Sequence, residues 1–133
     1  MSDEISFDLD LFFSALADNT RRRLLNLIGE DEVCVCYLVE VIGTNQPKIS
    51  RHLAILKKAG LVSVRRDWKW SHYRIAKPAG EVAAKVFDET LNLLKNDPEM
   101  KKDRQQMTKI CCAPAGKQPI GIQGAPKPER VNV

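Results

Sequence analysis

Apolar residues recur at helical spacing through most of this chain and switch to strand spacing once. Leu11, Phe12 and Leu16 put an apolar side on the segment from Asp8 to Ala17, which predicts a short helix. Asp18-Asn19-Thr20 offers cap residues for a second helix over 20–28, carrying Leu24, Leu25, Leu27 and Ile28, with Gly29 as its stop. Glu30-Asp31-Glu32 reads as an acidic connector, and 37–42 as a short helix ended by Gly43. Thr44-Asn45 caps the next helix, with Pro47 in its first turn, where a missing N–H costs nothing. That helix runs to about Ala59. Ile49, Leu53 and Leu56 stand at i, i+4 and i+7 and face a core, while Lys48, Ser50, Arg51 and Lys57 share the other side.

From Leu61 the period becomes two. Residues 61–66 and 71–75 predict the strands of a hairpin, turning at Asp67-Trp68-Lys69-Trp70 without a glycine. Helical spacing returns over 80–96, where Val82, Val86, Phe87, Thr90, Leu91 and Leu94 form a stripe. Asp97-Pro98 then opens a further helix to about Ile110. Four of the seven prolines and three of the seven glycines fall in 113–133, a composition that predicts disorder. The fold class expected is mainly α with a small β-hairpin. Residues 1–97 make the main unit, 98–112 a C-terminal helix with a cysteine pair, and 113–133 a tail.

Charge sharpens this picture. Residues 1–44 carry three basic and nine acidic side chains, whereas 45–77 carry nine basic and one acidic. The helix from Asn45 and the hairpin therefore hold a concentrated positive field, the footprint of a polyanion partner. Helix, tight turn, helix, basic hairpin is the order of a winged helix-turn-helix. The N-terminal end of its second helix reaches base edges in the major groove, which here offers Gln46, Lys48, Ser50 and Arg51. Glutamine can pair with adenine and arginine with guanine. The hairpin offers Arg65, Arg66, Lys69 and Arg74 to phosphates or the minor groove. Beside the apolar positions of the helix, His52 is expected to hydrogen-bond within the domain. Trp68 and Trp70 either stack on sugars or pack on protein.

The chemistry lies in four cysteines, Cys34, Cys36, Cys111 and Cys112. No apolar run approaches the roughly 20 residues of a membrane span, and the acidic start lacks the features of a signal peptide. The expectation is a cytoplasmic chain with reduced thiols, in which close cysteines are ligands or redox groups. In the extended lead-in to a helix, residues i and i+2 point the same way, so Cys34 and Cys36 should straddle a helix start. That position favours thiolates. An enzyme is not expected: there are two histidines, no Gly-rich phosphate loop and no C-x-x-C redox pair.

Residues 45–62, followed by His72-Tyr73-Arg74, closely resemble the ArsR/SmtB family of metal-responsive repressors, as does the segment from Leu16 to Leu25. The resemblance covers roughly residues 8–96. It implies a homodimeric winged-helix repressor that leaves operator DNA when its ligand binds, with the first helix and 80–96 forming the dimer interface. Glu32 to Leu38 resembles the arsenite-sensing motif of the arsenic branch, in which two cysteines flank a valine. In that branch a third cysteine follows three residues after the second; here that position is Val39. The resemblance therefore implies trivalent arsenic as inducer, with Cys34 and Cys36 as ligands and a third thiolate from Cys111 or Cys112, within or between subunits. Antimonite should bind as arsenite does. Cadmium, lead or thiol oxidation are the competing signals. The zinc site some relatives build on the 80–96 helix needs histidine, and this segment has Asp88 and Glu89 but none.

Overall fold

The computed structural model describes residues 7–114 and 116–131. Four of the six α-helices begin where a side chain accepts the orphan amides of the first turn. Asp8 caps α1 (Leu9–Leu16) by accepting from the Leu11 amide, and Asp18 caps α2 (Asn19–Ile28) by accepting from that of Arg21, both at 3.0 Å. Asn45 caps α4 (Gln46–Lys58) through the Lys48 amide, and Asp97 caps α6 (Pro98–Cys111) through those of Glu99 and Met100. Between them lie α3 (Val35–Ile42) and α5 (Glu81–Lys95). Gly43, at φ 81, turns the chain from α3 into α4 in the left-handed region that only glycine adopts without strain.

The acidic connector expected at 30–32 is instead the start of a strand. β1 (Asp31–Cys34) pairs antiparallel with β3 (Trp70–Ile75), which pairs with β2 (Val62–Asp67) along its full length. β1 is built from Asp31-Glu32-Val33-Cys34; its two acids are half-buried while Val33 and Cys34 are buried. The 113–133 tail also departs from the disorder its composition predicts. Its described residues include a 3-10 turn (Ile120–Ile122) with Ile122 fully buried, and a short strand β4 (Glu129–Arg130) paired to β1. The sheet order is β2-β3-β1-β4. One buried isoleucine and the free edge of β1 give the segment an anchorage that composition alone does not register.

Leu24, Leu25, Ile28, Leu38, Ile49, Leu53, Leu56, Leu61 and Phe87 are wholly buried and fix the packing of α2, α3, α4 and α5. Burying each such side chain is worth about 1.5–3 kcal/mol. α6 belongs to this core: Met100, Met107 and Ile110 are buried, and Arg23 of α2 makes two hydrogen bonds to Asp103, at 2.7 and 3.0 Å. The stripe of α5 divides. Phe87 and Leu94 face inward, while Val82 and Leu93 are 75% and 72% exposed, together with Leu9 and Phe13 of α1. With Val86, five large apolar side chains on two helices are thus left exposed in one chain.

Candidate nucleic-acid interface and dithiol

The apolar stripe of α4 sets what the helix presents. With Ile49, Leu53 and Leu56 inward, Gln46, Lys48 and Arg51 are exposed at its N-terminal end and Ser50 is half-buried beside them. His52 is drawn back towards α2, its Nδ1 3.1 Å from an Arg21 Nη1 and 3.8 Å from Asp18. It ties the reading helix to the core, as expected for a hydrogen bond inside the domain.

The hairpin turns through a two-residue loop, Trp68-Lys69, between the Asp67–Trp70 pair. Such loops demand φ > 0, normally from glycine or asparagine; here Trp68 supplies it, at φ 59, and is 84% exposed. The Lys69 ammonium lies 4.8 Å from the Trp68 ring and 5.0 Å from that of Trp70. Arg74 is exposed, and Arg66 donates to Ser71 Oγ at 3.0 Å. Arg65 is differently placed. Its guanidinium grips Glu32 of β1 at 2.7 and 3.1 Å, and this hydrogen bond holds the Glu32 carboxyl below the usual range.

Cys34 closes β1 and is the N-cap residue of α3, with extended backbone (φ −66, ψ 140), and Cys36 stands in the first helical turn. The Cys36 thiol donates to Cys34 Sγ across 2.9 Å. That hydrogen bond, against the opposing effect of burial, brings Cys34 down from 9.0 to about 7, and the amides of Cys36 and Ser71 add to it. The same bond, with burial, pushes the Cys36 thiol up. The pair gives up a first proton readily and retains the second. Cys34 is almost wholly buried and Cys36 half-buried.

Cys111 ends α6 and is half-buried; Cys112 is exposed. Among the described residues no three cysteine, histidine or carboxylate side chains stand together as a ligand group. α6 packs on α3, which carries Tyr37: burial raises the Tyr37 hydroxyl, and the charges of Cys111, Cys36 and Cys34 raise it further. Asp88 on α5 is paired with Lys77 at 3.2 Å.

The missed strand also reveals a missed residue. In register, Cys34 lies opposite His72, and His72 opposite Arg65. His72 is 4% exposed, and its Nε2 has no hydrogen-bond partner among the described residues. Directly opposed residues share a face of the sheet, so a row runs from the thiol through His72 to the hairpin arginine. Only knowledge of β1 could have found it. On the other side, Cys36 begins the helix that leads through Gly43 into α4. The dithiol therefore stands at the junction between the hairpin and the α3–α4 pair.

Comparison with known proteins bears on the family and the fold. Residues 18–64 match the model of the bacterial regulatory protein, arsR family. The chain is 46% identical over 78 residues to the arsenical resistance operon repressor of Escherichia coli, covering 58% of this chain and 67% of that one. It is 48% identical over 66 residues to an arsenic resistance transcriptional regulator of Pseudomonas putida, covering 49% of this chain and 52% of the relative. Among solved structures, it superposes with a TM-score of 0.53 and 31% identity on the homodimeric winged helix-turn-helix DNA-binding domain of a possible ArsR-family regulator from Mycobacterium bovis, covering 65% of this chain and 78% of that one. No helix among the described residues is long and apolar enough to cross a membrane. With this fold, this basic reading helix and hairpin, and these relatives, the chain belongs to the ArsR family and is a DNA-binding transcriptional repressor rather than an enzyme.

Proposed function

We propose that this repressor grips operator DNA as a homodimer and is released when trivalent arsenic is bound by Cys34, Cys36 and a thiolate from the end of α6. The observation that carries the reading is the pair of sulfurs 2.9 Å apart at the start of α3. Arsenous acid exchanges its three hydroxyls for three thiolates: three As–S bonds form, three As–O bonds break, and the thiol protons leave in three waters. Soft sulfur ligands select such a centre. Antimonite follows the same exchange. Cys111 is the better third ligand, because it is half-buried and shares Tyr37 with the pair, while Cys112 faces solvent. The exposed faces of α1 and α5 supply the dimer contact; Leu9, Phe13, Val82 and Leu93 are its apolar anchors.

In the DNA-bound dimer, Gln46, Lys48, Ser50 and Arg51 face base edges and phosphates, and Arg66, Lys69 and Arg74 approach the backbone from the hairpin. Closing three sulfurs round one atom moves Cys36 and with it the α3–α4 turn. It also moves Cys34 and the Cys34–His72–Arg65 row beneath the hairpin. Both groove contacts are displaced together, and coupling of about 1–3 kcal/mol follows from such two-state elements. Arsenite-binding stoichiometry of single Cys→Ser variants tests the ligand set. Loss of binding in Cys34→Ser, Cys36→Ser and Cys111→Ser, with Cys112→Ser retained, is the expected pattern. Unaltered binding in Cys34→Ser would refute it. A redox sensor built on the same close thiols would respond to oxidant and be silenced by reductant, whereas arsenite requires the reduced pair.

A further inference from the structure

The segment from Gly116 to Val131 belongs to neither the reading helix nor the hairpin, yet it is built onto the two elements that carry the thiol pair. β4 extends the sheet along β1, with Arg130 opposite Asp31 and Glu129 opposite Glu32. The Val131 amide donates to the Glu30 carbonyl at 3.1 Å, and the Arg130 guanidinium reaches Glu30 at 3.1 Å and Asp31 at 3.3 Å. Upstream, the 3-10 turn packs on α3 with Ile122 wholly buried. A β-carbon added at Gly121 would lie 3.0 Å from Glu40 Oε1. Glu40 is one turn beyond Cys36 on the same face of the helix. The segment thus packs on the helix that carries Cys36 and ends on the strand that terminates in Cys34.

We propose that residues 116–131 form a strap that holds the sensor in its ligand-free arrangement and must leave α3 and β1 before a soft trivalent ion can draw three thiolates together. The proposal rests on the arsenite reading above and adds a regulator to it. With the strap docked, Cys111 and the pair do not form one ligand group. Cys111 is joined to the strap by only four residues, 112–115, so moving it inward pulls on the strap's start. Contacts made in only one of two states set how much ligand the transition needs. Ile122, Arg130 and the β4 pairing are such contacts, and they set the arsenite threshold for release.

The test uses full-length Ile122→Ser and Arg130→Glu proteins; Arg130 is on the surface, so its replacement leaves the core intact. Three quantities are compared with wild type: arsenite needed for half-release from operator DNA, iodoacetamide alkylation rates at Cys36 and Cys111 mapped by mass, and operator affinity without arsenite. Ile122→Ser should lower the half-release concentration about tenfold or more, as expected for loss of a buried aliphatic anchor. Arg130→Glu should lower it about threefold, as for loss of surface ion pairs. Alkylation should accelerate at both cysteines in the same order, with operator affinity held within about twofold. Unchanged alkylation in both variants, or a higher arsenite requirement, overturns the strap. If arsenite fails to release the wild type, the arsenite reading falls, and the alkylation rates still decide the strap.

Discussion

The shared proton of the dithiol makes a prediction that can be worked through. In the folded chain Cys34 ionises near pH 7 because the Cys36 thiol donates to it, while Cys36 is pushed above its ordinary value. In the unfolded chain both thiols titrate near 9.0. Between these values the folded pair has lost one proton and the unfolded pair none, so raising the pH stabilises the fold by about 1.4 kcal/mol per unit. The gain reaches about 2–3 kcal/mol near pH 9.0, and is lost again as the pH falls through about 7. Above pH 9.0 the sign reverses, because the unfolded chain releases both protons and the folded chain keeps that of Cys36. Replacing Cys36 by alanine removes the donor and returns Cys34 towards an ordinary thiol. Urea unfolding of wild type and Cys36→Ala from roughly pH 6 to pH 10 isolates the effect, since every other group cancels in the difference. Ultraviolet thiolate absorbance should show a single ionisation near pH 7 in the wild type alone. Parallel stability profiles, or two thiols titrating together in the ordinary range, would refute the shared proton.

Three further outcomes follow from named contacts. Glu32→Gln frees Arg65 to meet a phosphate, so the slope of log affinity against log salt should steepen by about 0.9 for each phosphate gained; an unchanged slope would show that Arg65 already binds DNA in spite of Glu32. Trp68→Ala removes an exposed indole at the hairpin tip and should weaken operator binding about tenfold, as a stacked or inserted aromatic does, without altering arsenite stoichiometry; fluorescence that is insensitive to DNA in a Trp70→Phe protein would count against that contact. Asp103→Ala strands the partly buried Arg23 and should cost about 2–3 kcal/mol in denaturant unfolding, whereas a loss under about 0.5 kcal/mol would mean α6 is held by Met100, Met107 and Ile110 alone.

Much of the fold was legible because periodicity and caps agree locally. α1, α2, α4, α5 and α6 begin and end within a residue or two of where Asp8, Asp18, Asn45, Pro98 and the stop glycines place them. Periodicity placed the start of α3 at 37, two residues late, whereas the reading of Cys34 and Cys36 as straddling a helix start matches its first residue, Val35. β1 was invisible for a physical reason: four residues, two of them acidic, show no period, and the strand exists only because β3 lies beside it. With β1 went the Cys34–His72–Arg65 row and the bond from Arg65 to Glu32, so the engagement of Arg65 within the fold was not foreseen. The tail failed in the same way. Its prolines and glycines exclude a core of its own, but not the docking of Ile122 into a neighbour's.

The central claim is that arsenite, acting through the pair at the start of α3, loosens the grip of this repressor on DNA. The direct measurement is operator affinity by fluorescence anisotropy, under reducing conditions, with and without saturating arsenite, for wild type and Cys34→Ser. Wild-type affinity should fall by about 5- to 150-fold, and that of Cys34→Ser should not change. Wild-type affinity that ignores arsenite, or a Cys34→Ser protein released as readily as wild type, would contradict the account.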